Sequence, residues 1–383
     1  MTPLAGLRIV DLSMFVAGPF GTAILAGLGA EVVKVEPPGG DPVRSAPIGP
    51  RIGDAAGQFH TYNHSKRSVV ADLKTDDGKE TVRTLAAGAH AVFDNFRPGV
   101  MARLGLDHAT LATRNPRLVA VSLSGFGARG PWARRPGYDL IVQALGGGLS
   151  LCGHPGTGPA HIPFHLGDTA GGLYAAIALL AAVREAEQTG QGRAYEVSML
   201  DAQLHLAGDE ITFAGTGTWP GAPHGAGHPA LAPYSVFPTA DAPVAIAAVG
   251  TEKFWHALLA ALDLPGLADD PRFADNGARA ANRDALHAAL EARLVTEGAD
   301  HWLARFDAAD VPAAPVLGIG AAASSAHAVA RGLVQNLAAG QGAQAALPSL
   351  PIRALGDDRP LPMRPAPALD ADRAALQDGG GDA

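Results

Sequence analysis

Cysteine is almost absent from this sequence: Cys152 is the single one in 383 residues. An intrachain disulfide is therefore impossible, a cysteine-based structural metal site is excluded, and a reducing compartment is the natural setting. Positive charge is also scarce, with 29 Lys and Arg against 37 Asp and Glu and a net charge of -8. That balance gives no electrostatic footing for nucleic acid or an anionic membrane surface, so neither is expected as a partner. Long apolar runs are missing as well. The longest, Gly171 to Val183, is too short to span a bilayer, and residues 1–6 carry no basic cluster ahead of an apolar stretch. The expectation is a cytoplasmic protein. What is plentiful is core-forming material, 47% hydrophobic residues over a length that usually holds more than one domain.

From residue 7 to residue 125, short β-branched runs alternate with amphipathic stretches, the pattern of successive βαβ units around a parallel sheet. The runs Leu7 to Leu12, Glu31 to Val35, Ser68 to Leu73, Ala91 to Asn95 and Leu118 to Leu123 predict strands. Helices are predicted over Pro19 to Leu28, Asp76 to Ala87 and Gly99 to Leu104, with Pro19 suited to a first turn and Gly88 to a stop. The fold class is α/β, a large doubly wound, Rossmann-like domain with a smaller α+β domain. A long Ala/Leu helix is predicted over Thr169 to Glu187, with Asp168 as its N-cap and small residues after it leaving room at its start. Tyr195 to Met199 reads as a further strand. The stretch 215–233, dense in Gly, Pro and His, marks a linker between a large domain over 1–214 and a small domain over 234–319. Residues 320–383 follow as a tail, and the composition of Gly379 to Ala383 favours disorder.

Three local patterns carry candidate chemistry. Ala17-Gly18-Pro19-Phe20-Gly21 after the first strand invites a dinucleotide site with Glu36 as ribose acceptor, but Pro19 breaks the Gly-x-Gly-x-x-Gly spacing. A tight turn presenting backbone amides to a nucleotide-like ligand fits better. His161 and His165, four apart, suggest a metal pair, which Pro163 between them argues against. Asp168 sits where a loop enters a helix, and an aspartate there is either a plain cap or a carboxylate kept ionised for nucleophilic attack.

Over its first half the chain resembles the family III CoA-transferases, the group that includes formyl-CoA transferase, carnitine CoA-transferase and the α-methylacyl-CoA racemases. The resemblance rests on ordered blocks: Leu4 to Leu12, Ala17-Gly18-Pro19, Leu28 to Pro37, Asn63 to Lys74, Asn95 to Gly99, Arg103-Leu104-Gly105, Ser124 to Gly127, Arg135 to Asp139 and Gly190 to Asp201. It implies transfer of CoA from an acyl-CoA to a free carboxylic acid, through anhydride and thioester intermediates on Asp168. No permanently bound cofactor and no metal are implied; coenzyme A and its thioesters are substrates. Coenzyme A contacts carry over to Val16, Ala17, Ala71, Asp72, Leu73, Lys74, Asn95, Phe96, Arg97, Arg103 and Tyr138, with Lys74, Arg97 and Arg103 suited to phosphates and Asn95 to adenine or pantetheine. An interlocked homodimer is implied, with the tail after Ile319 returning to the large domain and 221–229 as a glycine loop over the aspartate. Two departures stand out. Val16 replaces the Gln of formyl-CoA transferases, which argues against formate or oxalate. Tyr138 replaces a proton-transferring His of the racemases, which favours transfer over the alternative, racemisation or isomerisation at the same CoA site. Arg44 and Arg51 are candidates to meet a substrate carboxylate.

Overall fold

In a computed structural model, which describes residues 2–217, 221–357 and 359–377, the β-branched runs form one six-stranded sheet. Its strands are Arg8–Asp11, Glu31–Glu36, Arg67–Val70, Ala91–Asp94, Val119–Ser124 and Ala194–Ser198. They lie in the order third, second, first, fourth, fifth, sixth, and every pairing is parallel. The two-residue alternation of a strand sorts the side chains to opposite faces. Ile9, Val32, Phe93 and Val121 pack on one face against the helices Ala17–Gly27 and Leu166–Thr189. Val10, Val33 and Val92 pack on the other, against Val82 and Ala86 of the helix Asp76–Ala87. Helices on both faces of a parallel sheet make the architecture doubly wound.

Local signals explain the element ends. The Thr75 side chain accepts from Gly78 N–H at 3.1 Å, Asp76 and Asp77 occupy the positive end of the helix dipole, and Gly88 closes the helix. The third strand ends at Val70, so Ala71 to Leu73 leave the sheet. As an edge strand it has free N–H groups, and Asp370 and Asp372 of the tail accept from Val70 and Ser68 at 2.7 and 2.9 Å. The same tail forms a hairpin, Val334–Ala338 with Gln344–Pro348, which buries Ala345 and Leu347. Its inward positions, Gln335, Leu337, Ala345 and Leu347, mix polar, small and large side chains, so the alternation is faint in the sequence.

The helix expected from Thr169 begins earlier, at Leu166, and runs to Thr189, with His165 in the left-handed region at its cap position. Asp168 is therefore inside the first turn and is not the N-cap. By length and composition this helix could cross a membrane, which the shorter run Gly171 to Val183 does not reveal. In the structure it is a core element, with Ala170, Ala175, Leu179, Ala182 and Ala186 buried among the residues it packs on. Contrary to the sequence expectation, the small residues near its start leave no room, because neighbours fill the space beside them. A Cβ on Gly172 would sit 2.5 Å from Ala17 O, and one on Gly21 the same distance from Gly172 O. The two helices cross on these glycines. Gly172→Ala is expected to destabilise the protein by about 1–3 kcal/mol through overpacking, read from the urea midpoint.

Two compact units divide the chain. The larger takes Met1–Leu149, His161–Pro220 and Ala323–Ala383, and the smaller takes Ser150–Ala160 and Gly221–Ala322. The sequence reading gave all of 1–214 to the large domain, whereas residues 150–160 group with the smaller unit, where Gly153 O accepts from Gly225 N–H at 2.9 Å. The smaller unit holds an antiparallel sheet in the order Ala313–Pro315, Val244–Ala247, Tyr234–Phe237. The helices Glu252–Leu262, Arg283–Leu294 and Ala299–Ala308 enclose Trp255, Trp302, Phe237 and Phe306. Arg279, 2% exposed, pairs with Glu252 at 2.7 Å and donates to the Ala232 and Phe273 carbonyls. The predicted disorder of Gly379 to Ala383 and residues 218–220 of the predicted linker lie outside the described residues.

Candidate active site

The order third, second, first, fourth places a topological switch point between the first and fourth strands, and the loops beyond their carboxyl ends diverge there. A cleft of about 560 Å³ opens at this point. Phe15, Val16 and Ala17 line it from the first loop, Asn95, Phe96 and Arg97 from the fourth, and Tyr138 and Asp168 from elements further along the chain. Ala71, Asp72, Leu73 and Lys74 line a second, smaller cleft of about 160 Å³, and Phe96 belongs to both. Arg103, exposed on the helix Val100–Leu104, lines neither.

A buried ionic scaffold shapes the first loop. Asp11 accepts from Ser13 N–H at 2.9 Å and from the hydroxyls of Ser13 and Thr22 at 2.5 and 2.6 Å, and pairs with Lys66 Nζ at 3.1 Å. Lys34 Nζ donates to Ser13 O at 2.8 Å and pairs with Asp41 at 2.8 Å. Burial pushes the Lys66 ammonium down to about 8 even though Asp11 favours its charge. Asn95 completes the clamp. Its amide donates to Met14 O at 2.7 Å and accepts from Met14 N–H at 2.9 Å. Asn95 thus holds the first loop in addition to lining the cleft. Phe15, next along, takes φ 67°, a strained left-handed value for an aromatic residue, and lines the cleft.

The same scaffold removes two sequence candidates. Glu36 is 1% exposed, and its oxygens are taken by a bidentate Arg44 pair at 2.7 Å and by Ser68 and the Asp41 N–H, so it offers nothing to a ribose. Arg44 is spent on Glu36, on Pro367 O and on stacking over Phe59 at 3.8 Å. It lines neither cleft. Arg51 is exposed and donates to Asp54 O.

Asp168 is half-buried in the cleft wall, and burial, with the neighbouring Asp139 carboxylate, pushes its pKa up to about 7. That is opposite to the sequence expectation of a carboxylate held ionised by the helix end. Burial is the larger cause, and Asp139 adds to it: 7% exposed, its Oδ1 accepts from Gly167 and Asp168 N–H at 2.8 and 3.2 Å. Asp139 is thus the true cap of this helix, and its charge lies beside Asp168. Tyr62 stands near both carboxylates, and burial followed by their charges raises its phenol. Asp139 closes the block Arg135 to Asp139, yet nothing local identifies it, because its partners follow 28 and 29 residues later. His161 and His165 both line the cleft, and among the described residues no group of three or more His, Cys, Asp and Glu is placed to hold a metal.

The profile of CoA-transferase family III matches residues 4–373. Acetyl-CoA:oxalate CoA-transferase of Acetobacter aceti is 39% identical over 98% of this chain and 95% of its own length. Succinate-glutarate CoA-transferase of Agrobacterium fabrum is 35% identical over 98% and 94%. Among solved structures, a CAIB/BAIF family protein of Brucella suis superposes with TM-score 0.87 and 35% identity, covering 99% of both chains. Rv3272 of Mycobacterium tuberculosis does so with TM-score 0.85 and 30% identity, over 98% of this chain and 99% of that one. Likeness on this scale takes in both compact units as well as the sheet and its cleft, and the chain belongs to CoA-transferase family III.

Proposed function

We propose that Asp168 is the nucleophile of a CoA transfer between two carboxylic acids. The observation that carries this reading is a carboxylate titrating near 7 in the wall of a cleft at the carboxyl ends of the strands. An Asp168 oxygen attacks the donor thioester carbon, the C–S bond breaks, and a mixed anhydride and CoA thiolate form. The thiolate attacks the Asp168 carbonyl carbon, expelling the donor acid and leaving an aspartyl-CoA thioester. The acceptor carboxylate attacks that thioester and releases the thiolate again. Attack of the thiolate on the acceptor's acyl carbon gives the new acyl-CoA and returns Asp168 as carboxylate. Water must be kept out while the acids exchange, since each intermediate is an activated acyl group.

Coenzyme A is proposed to run from the smaller cleft, where Lys74 and the backbone of Ala71 to Leu73 meet its nucleotide end, past Phe96 to the larger one. There Arg97, Tyr138 and the backbone at Val16 and Ala17 meet the pantetheine and thioester. Arg103, outside both clefts, is assigned to an extended phosphate contact. The protein is proposed to act as a homodimer in the cytoplasm. Leu140, Ile141, Leu173, Ile177, Leu206 and Ile211, all exposed apolar side chains of the larger unit, support self-association.

Steady-state kinetics with succinyl-CoA and a panel of acids including oxalate and glutarate test the reading. Parallel double-reciprocal plots are expected, because the donor acid leaves before the acceptor arrives. Oxalate is the informative acceptor: Val16 argues against it, while the relative from Acetobacter aceti uses it by name. Deuterium entering the α-carbon of a 2-methylacyl-CoA in D2O, with no acyl exchange, would turn the assignment to racemisation.

A further inference from the structure

Asp139 binds more than the start of the Asp168 helix. Its Oδ2 accepts from Gln143 Nε2 at 2.7 Å and lies 3.3 Å from His161 Nε2. Gln143, fully buried, also donates to Ile162 O at 3.0 Å and accepts from Ile162 N–H at 3.1 Å. This amide therefore pins the residue after His161 to the helix that carries Asp139, and so holds the imidazole against the carboxylate. The result is a chain of contacts from His161 through Asp139 to the backbone of Asp168. We propose that His161 is a positioning residue for the transfer reaction, acting through Asp139 to keep Asp168 in its attacking form. The inference rests on Asp168 as nucleophile.

The electrostatics follow from the order of the charges. An ionised Asp139 faces Asp168 with like charge and opposes its ionisation. A protonated His161 forms an ion pair with Asp139, cancels most of that field and favours the carboxylate of Asp168. Other groups face the same space: His165, Tyr138, Arg97 and Arg135 line the cleft, and Tyr62 stands near the two aspartates. None of these is hydrogen-bonded to Asp139 in the structure, whereas His161 is in direct contact with it.

His161→Gln in the full chain tests this, with kcat for transfer from succinyl-CoA and the yield of Asp168 hydroxamate both followed from pH 5.5 to 9. The acid limb of both profiles is expected to move up by about one pH unit. That is about a tenfold loss at pH 6. At pH 8.5, where Asp168 is ionised regardless, the variant should fall within about twofold of the parent, and KM for succinyl-CoA should hardly change. His161→Lys, which keeps a cation, should restore the limb. In an Asp139→Asn background the His161 substitution should no longer move it. A loss of equal size at every pH, or an unmoved limb, overturns the proposal while leaving the nucleophile assignment intact. No hydroxamate on wild-type Asp168 at any pH overturns both.

Discussion

Asp168→Ala should lower the rate of CoA transfer by about 10³-fold or more, because the proposed reaction passes through two covalent intermediates on its carboxylate. Coenzyme A binding, measured by calorimetry, should stay within about threefold, since the contacts proposed for it lie on the segments after the first, third, fourth and fifth strands. Folding should not suffer either. The folded-state pKa of Asp168 lies near 7 against an ordinary 3.8, so the unfolded chain releases this proton first as pH rises. Stability is therefore drawn down between about pH 4 and pH 7, and the full penalty persists above. Asp168→Asn, which is isosteric and uncharged, should raise stability by about 1–3 kcal/mol at pH 8 and by almost nothing at pH 4. An inactive variant that is more stable at high pH is the signature of a carboxylate kept for chemistry.

The second large effect concerns the scaffold. Lys66→Met should destabilise the fold by about 3–5 kcal/mol, because it leaves the fully buried Asp11 without its main counter-charge. Burial works to raise the Asp11 pKa, and Lys66, Lys34, Ser13 and Thr22 together hold it below the ordinary value. Lys66 Nζ also donates to Pro19 O at 3.1 Å and Asn63 Oδ1 at 3.0 Å, so three elements loosen at once. The Asp11→Asn, Lys66→Met pair should cost clearly less than the sum of the single changes, since the double variant leaves no lone buried charge. Guanidinium melts of the four proteins read this directly. KM for acyl-CoA should rise as well, because Phe15 to Ala17, in the loop held by the same network, line the cleft.

Much of this was legible in the sequence. The helix Asp76–Ala87 begins and ends where capping placed it, and all six strands of the sheet fall within a few residues of their predicted positions. These elements depend on local signals: a Thr75 cap, a Gly88 stop, β-branched runs. What escaped depends on partners distant in the chain. Asp139 looks like any acidic residue until the chain returns at Gly167, and Arg44 looks available until it is seen clasping Glu36. The Asp168 helix misled for a different reason. An aspartate before an Ala-rich run reads as a cap, but Asp139 takes that role from outside and frees the Asp168 side chain.

The central claim is a covalent bond at one carboxylate, and it is tested most directly by intact-protein mass spectrometry after incubation with succinyl-CoA or acetyl-CoA, followed by hydroxylamine and peptide sequencing. The account predicts a hydroxamate on the peptide around Asp168 and nowhere else. A protein that binds coenzyme A and turns over while Asp168 stays unmodified with every donor would contradict it.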